Sequence, residues 1–308
     1  MRKENKESTE PTIAGLPAAT ADTAGAASAP APPAPGRPAP APPAPGRPAP
    51  ARSGHTSTAP TPTAATPTAP TELAQIPSRI DQVVHRLREA EVQAGRSMGE
   101  TRLQLAVKYQ PIEKIRAALE HGCRFLGQNL IQQLEAVETQ ITDVQPHWTH
   151  VIGHVQSNKA GKALEFANCI ESLDSERLAR RLDRLQGTRI SNGEATEPFE
   201  VYIQVNSAGS ESQYGVAPEK VAELAGIVSE LPNLRLGGLM TIGAHTDDVG
   251  EVAASFARTR ELRDELQSEI PTCTELSMGM THDMEIAVKE GSTIVRVGTA
   301  VFGPRPRP

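Results

Sequence analysis

Cysteine, aromatic residues and long apolar runs are all scarce in this sequence. Its three cysteines, Cys123, Cys169 and Cys273, stand far apart and form no CxxC pair. This pattern supports neither a disulfide framework nor a thiolate metal site, so we expect small buried apolar side chains at these positions. No run of roughly 18 apolar residues could span a bilayer, and the amino-terminal "MRKENKESTE" is too polar for a signal peptide. We therefore expect a cytoplasmic protein that does not contact a membrane.

A basic cluster interleaved with aromatic residues is also missing. The chain has 31 Lys and Arg against 37 Asp and Glu, which gives a formal net charge of −6, and only 3% of its residues are aromatic. Nucleic-acid-binding domains usually carry the opposite balance of charge. Nucleic acid is therefore not expected as the main partner.

The first quarter of the chain has few apolar side chains apart from alanine and proline. Ala, Pro, Thr, Ser and Gly fill nearly every position from about 10 to 70, and the decamer "APAPPAPGRP" at 29–38 is repeated at 39–48. Such a segment buries too little apolar surface to offset its ordering entropy. We predict a disordered tail with polyproline II character over 1–75 and a folded unit over 76–308. Recruitment of an SH3-like partner through the PxxP spacing is the alternative for the tail.

The rest of the chain alternates between short apolar runs and amphipathic stretches. The folded part opens with a helix, for which Ser78 and Asp81 form a capping box and Ile80, Val83 and Val84 begin the apolar face. Eight predicted strands follow, with helices between most of them. They are "LQLAV", "CRFLG", Thr149–Ile152, Cys169–Leu173, Glu200–Val205, Leu234–Met240, Glu275–Met278 and Thr293–Val297.

This alternation predicts an α/β fold with a parallel sheet covered by helices. Eight βα units favour a closed (β/α)8 barrel of the TIM type over an open doubly wound sheet. The sequence contains no GxGxxG after the first predicted strand and no GxxxxGK[ST]. Their absence removes the commonest reason to prefer a Rossmann or P-loop fold. We therefore predict a single barrel with one additional helix before it.

Two small-residue turns follow the seventh and eighth predicted strands, where such barrels often hold phosphate. Ser277 and Gly279 end the seventh strand, while Gly298 and Thr299 end the eighth and lead into a helical turn. Glycine lets a backbone approach an anion closely, and hydroxyl groups add hydrogen-bond donors. We interpret the pair as a phosphate cradle, and two ordinary tight turns are the alternative.

Two basic residues stand where a ligand in the barrel mouth would meet them. Lys108 directly follows "LQLAV". Its amine either has an ordinary role, in which it reaches solvent or pairs with a carboxylate, or it forms a Schiff base with a carbonyl ligand. Arg296 lies inside the eighth strand and needs an acceptor, either a barrel carboxylate or the pyridine nitrogen of a cofactor. A Schiff-base lysine facing a phosphate cradle suggests a phosphorylated aldehyde, and pyridoxal phosphate fits that description.

The run "HWTHVIGHVQSNK" contains three histidines, His147, His150 and His154. Their spacing does not match a helical HExxH site, so no metal site is predicted. His150 is a candidate to face the barrel mouth. Tyr214, in the loop "NSAGSESQYGV", is either a solvated side chain or an acid near the mouth.

Several motifs in this order resemble those of the pyridoxal phosphate homeostasis proteins, the YggS/PROSC-like family. They are "LAVKYQP", "FLGQN", "HVIGHVQSNK", "LGGLMTIG" and "LSMGMTHDMEIAVKEGSTIVRVGTAVFG". The last is the most specific, and the likeness covers about 80–303 but not the tail. The sequence departs from the family pattern at Val107, Tyr109 and Gln128, where the family usually has Ser or Thr, Thr, and Glu.

The resemblance implies the barrel fold of the alanine racemase N-terminal domain, with pyridoxal phosphate held as an internal aldimine on Lys108. It also assigns the remaining contacts: the phosphate to Ser277, Gly298 and Thr299, the pyridine side to Arg296, and the ring to Asn129. The three departures affect the expected packing of the ring, not the aldimine.

The resemblance also implies a carrier that holds and hands over pyridoxal phosphate to apo-enzymes and influences amino and keto acid balance. Racemisation needs an acid/base on each face of the substrate carbon. In the related racemases an additional β-domain supplies the second, and this chain continues for five residues after Gly303. We expect a monomeric, non-catalytic carrier. The alternatives are a racemase or lyase with Tyr214 as second acid, and an aldolase that uses Lys108 without the cofactor.

Overall fold

Eight parallel strands form a closed barrel within residues 70–144 and 146–304, the ranges that the computed structural model describes. The strands are β1 (Arg102–Ala106), β2 (Phe125–Gln128), β3 (Trp148–Val151), β4 (Cys169–Leu173), β5 (Phe199–Val205), β6 (Leu234–Thr241), β7 (Glu275–Ser277) and β8 (Ile294–Val297). Each strand pairs with the next one along the chain, and β8 pairs with β1 to close the ring. The predicted (β/α)8 barrel is confirmed, and each predicted strand overlaps an observed one.

Helices cover the outside of this barrel. They are α1 (Pro70–Gln93), α2 (Ile112–Glu120), α3 (Ile131–Glu138), α4 (Ala160–Phe166), α5 (Glu176–Ser191), α6 (Val221–Ser229), α7 (Val249–Gln267), α8 (Met284–Lys289) and α9 (Thr299–Phe302). Short 3-10 turns, Ser157–Lys159 and Pro218–Lys220, lead into α4 and α6. No helix in the described ranges is long and apolar enough to cross a membrane.

The first helix begins earlier than the sequence predicted. Helix α1 starts at Pro70, so Ser78 lies inside it and the capping box assigned to Ser78 is wrong. Tertiary packing extends the helix, because Ile76 is fully buried and Glu72 pairs with Nζ of Lys114 at 3.0 Å. Residues 1–69 lie outside the described ranges, so the disorder of the tail stays a prediction.

The strands are buried on both faces because side chains fill the barrel and helices cover it. Every residue of β4 and of β8 is buried. Helix α2 shows how local sequence produces this layer. It follows Pro111, it buries Ile115 and Leu119 completely, and the chain leaves it at Gly122 with φ 98°. Only glycine adopts that left-handed conformation without strain.

All three cysteines are free thiols. Cys169 and Cys273 are buried and Cys123 is half-buried, which agrees with the expectation of small apolar side chains. Burial raises the pKa of both Cys123 and Cys273 to about 12. These two thiols are therefore poor nucleophiles at neutral pH.

Candidate functional site

The carboxyl ends of β1 and β8 bring two predicted site segments to one rim of the barrel. Leu105 of β1 pairs in register with Val297 of β8. Lys108 follows β1 by two residues and Gly298 follows β8 directly. A Cβ atom placed on Gly298 would lie 3.0 Å from the carbonyl oxygen of Ala106. The turn after β8 is therefore packed against the end of the strand that leads to Lys108.

Lys108 stands at a strained point of the chain. Its side chain is half-buried, and its Nζ lies 5.2 Å from the centre of the Tyr109 ring. Tyr109 has φ 60°, the only positive φ at a residue other than glycine in the described ranges. Strained backbone of this kind is common beside functional groups. In the described part of the chain, Lys108 forms no salt bridge, so pairing with a carboxylate does not account for it.

A carboxylate that the sequence analysis did not single out lies at the centre of the barrel. Glu171 of β4 is fully buried. It accepts hydrogen bonds from Nε2 of Gln104 at 2.7 Å, Nδ1 of His150 at 2.7 Å and Oγ of Ser277 at 2.5 Å. The network therefore joins four strands, β1, β3, β4 and β7.

Arg296 of β8 extends this network. Its Nη1 donates to Oγ of Ser277 at 2.8 Å and its Nη2 donates to the carbonyl oxygen of Thr241 at 2.7 Å. The predicted alternative of an ion pair with a barrel carboxylate is thus realised only indirectly, since Ser277 lies between Arg296 and Glu171. A guanidinium has five N–H groups, so these two bonds leave donors for a further acceptor.

The two buried charges stabilise each other. Burial opposes ionisation of Glu171, but the hydrogen bond and charge of His150, the charge of Arg296 and the hydrogen bond from Ser277 outweigh it and lower the pKa of Glu171 below its ordinary value. Burial also lowers the pKa of Arg296, and the charge of Glu171 opposes that shift. The interior is therefore organised to hold one negative and one positive group.

The turn after β7 requires glycine. Gly279 has φ 91°, and a Cβ atom there would lie 2.4 Å from Cβ of Ala287. Its carbonyl oxygen accepts a hydrogen bond from the backbone N of Arg296 at 2.9 Å. This bond ties the turn to β8, so both small-residue turns lie on adjacent strands. Ser277 differs from the prediction in one respect, because its hydroxyl contacts Glu171 and Arg296 inside the barrel.

The remaining predicted residues of the site lie on β2, β3 and the segments that follow them. Asn129 follows β2 and is half-buried. The backbone of Gly153 packs closely against it, because a Cβ atom placed on Gly153 would lie 2.2 Å from the carbonyl oxygen of Asn129. His150 is buried deeper, with its ring edge-to-face against Phe125 at 4.5 Å between ring centres. His150 is therefore part of the Glu171 network.

The three histidines of the "HWTHVIGHVQSNK" run have different carboxylate partners. His147 bonds to Glu138 at 2.9 Å, His150 to Glu171, and His154 to Asp174 at 3.1 Å. The ring of Tyr214 stacks on His154 with 4.3 Å between ring centres, and Tyr214 is 59% exposed.

Several buried polar groups retain hydrogen-bonding capacity that the protein itself does not use. In the described ranges Nε2 of Gln128, at the end of β2, is buried without an acceptor, and the Oε1 atoms of Gln104 and Gln110 are buried without a donor. Arg296 retains N–H donors, and Gly298 presents backbone without a side chain at the rim. Buried polar groups normally have partners, so Gln128 and Arg296 favour a ligand that accepts hydrogen bonds, whereas the two glutamine oxygens need a donor.

Sequence reasoning missed Glu171, Gln104 and Thr241. Two of them carried a signal that was applied only to Arg296, namely a polar residue inside a short apolar strand. Glu171 lies within "CIESL" and Gln104 within "LQLAV". A buried polar group of this kind needs a partner. Thr241 acts through its backbone carbonyl, for which the sequence offers no signal.

Comparisons with known proteins agree with this geometry. The family model described as "Alanine racemase, N-terminal domain" matches residues 79–306. A pyridoxal phosphate homeostasis protein of Pseudomonas aeruginosa is 38% identical over 230 residues, which cover 75% of this chain and 96% of the relative. The protein of the same name from Vibrio cholerae is 34% identical over 234 residues, with 75% and 96% covered.

A solved structure shows the same fold with a ligand. The structure of PipY from Synechococcus elongatus with PLP bound is 33% identical, with a TM-score of 0.63, and the match covers 74% of this chain and all of PipY (100%).

Proposed function

Because the chain belongs to the pyridoxal phosphate homeostasis protein family, we propose that it binds pyridoxal 5′-phosphate at the barrel mouth. It carries the cofactor on a lysine and takes part in intracellular vitamin B6 and amino and keto acid homeostasis. The observation that carries this proposal is the position of Lys108 at the rim beside β8, with no salt bridge in the described ranges. A primary amine in that position is suited to capture an aldehyde.

Lys108 is the proposed attachment site. Its amine condenses with the aldehyde, releases water and forms an aldimine. The φ of 60° at Tyr109 turns the chain sharply directly after Lys108. The turn keeps the lysine at the end of β1 and lets the following residues leave the mouth toward α2. Val107, which departs from the family pattern, is buried directly before this lysine.

The turns after β7 and β8 are the proposed phosphate site. Gly298 and Thr299 lie at the rim at the start of the short helix α9, where backbone N–H groups can donate to an anion. Gly279 holds the neighbouring turn against β8. Ser277 supports this site through its bond to Arg296, because its hydroxyl already contacts two protein groups.

Arg296 and Asn129 are the proposed contacts of the pyridine ring, with His150 as a buried support behind them. Arg296 has N–H donors left over, so it can donate to the ring nitrogen. An arginine stays protonated, and a donor at that nitrogen opposes protonation of the ring. The ring is then a weaker electron sink than a ring with a protonated nitrogen.

Absorbance spectroscopy tests the attachment site directly. Pyridoxal phosphate is titrated into the full chain, into Lys108→Ala and into Lys220→Ala, an exposed lysine that pairs with Glu223 at the surface. We expect the visible aldimine band in the wild type and in Lys220→Ala, and its loss in Lys108→Ala. Borohydride reduction followed by peptide mass analysis then locates the modified lysine.

Other outcomes of the same experiment contradict parts of the proposal. A band retained by Lys108→Ala places the attachment elsewhere. Racemisation of alanine above the Lys108→Ala background supports the racemase alternative instead of a carrier. Trapping of a sugar phosphate in place of pyridoxal phosphate supports an aldolase.

The carrier role also requires apo-enzymes that receive the cofactor. We propose that the loaded protein transfers pyridoxal phosphate to apo-enzymes and acts as a monomer. Mixing the loaded protein with a pyridoxal phosphate-dependent apo-enzyme tests the transfer, because the recipient gains activity as the aldimine band of this protein falls. Light scattering on the loaded protein tests the oligomeric state, and a mass near 32.8 kDa is expected.

A further inference from the structure

A second polar depression lies outside the barrel mouth, between the 3-10 turn that follows β3 and helix α5. It has a volume of about 320 Å³ and is lined by Ser157, Asn158, Arg177, Arg181 and Arg184. Neither the Glu171 network nor Lys108 is part of it. The depression thus collects three guanidinium groups, a hydroxyl and an amide on one surface.

The three arginines form a ladder along one face of α5. Arg177, Arg181 and Arg184 are separated by four and three residues, the spacing that places side chains above one another on a helix. With a rise of about 1.5 Å per residue, the ladder is about 10 Å long. Like charges at this spacing repel each other and destabilise the helix. A bound anion would relieve that repulsion.

Neighbouring arginines on the same helix have carboxylate partners. Arg180 pairs with Glu176 at 2.7 Å, and Arg189 lies 4.0 Å from Glu194. Within the described residues, the three arginines of the ladder form no salt bridge and no side-chain hydrogen bond, although the chain has 37 carboxylates against 31 basic residues. All three are exposed, so their positive charge is solvated by water and is available to an anion from solution.

The lining defines the chemistry of the ligand. Among the described residues no carboxylate and no apolar or aromatic side chain lines the depression. Guanidinium, hydroxyl and amide groups all donate hydrogen bonds, and arginine matches the geometry of phosphate oxygens. Recognition must therefore be directed at oxyanions.

We propose that this depression binds compounds with two or more linked phosphoryl groups. A single phosphate spans only part of a ladder about 10 Å long, whereas two linked phosphoryl groups reach successive arginines. Ser157 follows the loop after β3, and Arg177 lies in the first turn of α5 after β4. The site therefore lies beside the mouth at the carboxyl ends of these strands, and it is distinct from the proposed cofactor site.

Calorimetric titration with sodium pyrophosphate at constant ionic strength tests this site. The full chain is first saturated with pyridoxal phosphate, so that the barrel mouth is occupied. Arg181→Gln removes one rung of the ladder, and Arg180→Gln removes the same charge from the adjacent residue outside the depression. We expect saturable binding by the wild type and Arg180→Gln, and binding weakened about threefold or more in Arg181→Gln. The triple change of Arg177, Arg181 and Arg184 to Gln abolishes it.

Two results would overturn the proposal. Equal weakening by Arg180→Gln and Arg181→Gln shows a general charge effect and no defined site. Binding that the triple variant retains shows that pyrophosphate binds outside the depression. Circular dichroism of each variant controls for loss of the helix. The visible aldimine band reports the cofactor site separately, so failure here leaves the proposed function intact.

Discussion

Glu171 and Arg296 are oppositely charged groups buried inside the barrel. Removing a charge from water is costly unless hydrogen bonds and an opposite charge replace the lost hydration. Glu171 has three donors and Arg296 has two acceptors. Because Ser277 donates to Glu171 and accepts from Arg296, it fixes the position of the guanidinium. The network thus orients the group proposed to meet the cofactor ring.

Replacing Glu171 with Gln should destabilise the protein in a pH-dependent manner. The change leaves Arg296 buried without a counter-charge, and we expect a loss of about 3 kcal/mol at pH 7. The pKa of Glu171 is lowered in the folded state, so its contribution is present above the ordinary carboxyl pKa and is lost as the pH falls through the folded pKa. Urea unfolding at several pH values from neutral to about 3 measures the free energy of unfolding of the wild type and of Glu171→Gln.

The difference in free energy of unfolding between wild type and Glu171→Gln should shrink toward acidic pH. Glu223→Gln, at an exposed pair with Lys220, is the control and should change little. A constant difference across the pH range would mean that the side-chain shape of Glu171 matters and its charge does not.

Replacing Gly279 with Ala should cost more than the same change at Gly209. Both residues have positive φ, 91° and 66°, but a Cβ at Gly279 meets Ala287 at 2.4 Å while Gly209 has nothing within 4 Å. We expect losses of about 3 kcal/mol for Gly279→Ala and about 1 kcal/mol for Gly209→Ala. Chemical denaturation measures both, and equal losses would show that the turn after β7 relaxes freely.

Helix α3 and strand β3 are joined by a second polar cluster. Glu138, the last residue of α3, accepts hydrogen bonds from Oγ1 of Thr149 at 2.7 Å and from Nε2 of His147 at 2.9 Å. The side chains of His147 and Glu138 are 6% and 14% exposed. This cluster holds the segment before β3 against the helix layer, and it is separate from the barrel interior.

Replacing His147 with Gln should remove a pH-dependent part of the stability. The hydrogen bond that His147 donates to Glu138 raises the pKa of His147, while burial opposes the shift. A raised histidine pKa stabilises the fold fully below the ordinary pKa of about 6.5, and the effect is lost as the pH rises through the folded pKa. We expect a loss of about 1–2 kcal/mol at pH 6 and a smaller loss at pH 9.

Thermal and urea unfolding at these two pH values check the His147 prediction. His85→Gln is the matched control, since His85 is an exposed residue of α1 whose side chain is 76% exposed. If His147→Gln loses the same stability at both pH values, the ion pair with Glu138 does not contribute through its charge.

The whole folded unit is a ring closed by β1 and β8, with α1 packed outside that seam. Ile76, Ile80 and Leu87 of α1 belong to the same hydrophobic cluster as Leu105 of β1 and Val295 of β8. Lys114 of α2 connects to both ends of the chain's folded part, through Glu72 and through the carbonyl oxygen of Phe302 at 3.2 Å. Helix α1 therefore packs on the outside of the barrel and shares the hydrophobic cluster that covers β1 and β8.

Two truncations should separate the tail from the folded unit. A chain starting at residue 70 keeps all of α1, and we expect unchanged pyridoxal phosphate binding and a melting temperature within about 2 °C of the full chain. A chain starting at residue 79 loses Glu72 and the fully buried Ile76. It should unfold about 5–10 °C lower. If the two truncated chains were equally stable, the first turns of α1 would not belong to the folded unit.

The alternation of strands and helices could be predicted from the sequence because apolar periodicity, prolines and glycines act over a few residues. The runs that predicted the eight strands therefore match the observed barrel closely. Tertiary structure decided the rest. Gln104 and Glu171 are 67 positions apart, and Ser277 and Glu171 are 106 positions apart. These contacts form only when the ring closes, and no local pattern encodes such distances. Likewise α1 extends to Pro70 because Ile76 finds a buried position against the closed barrel.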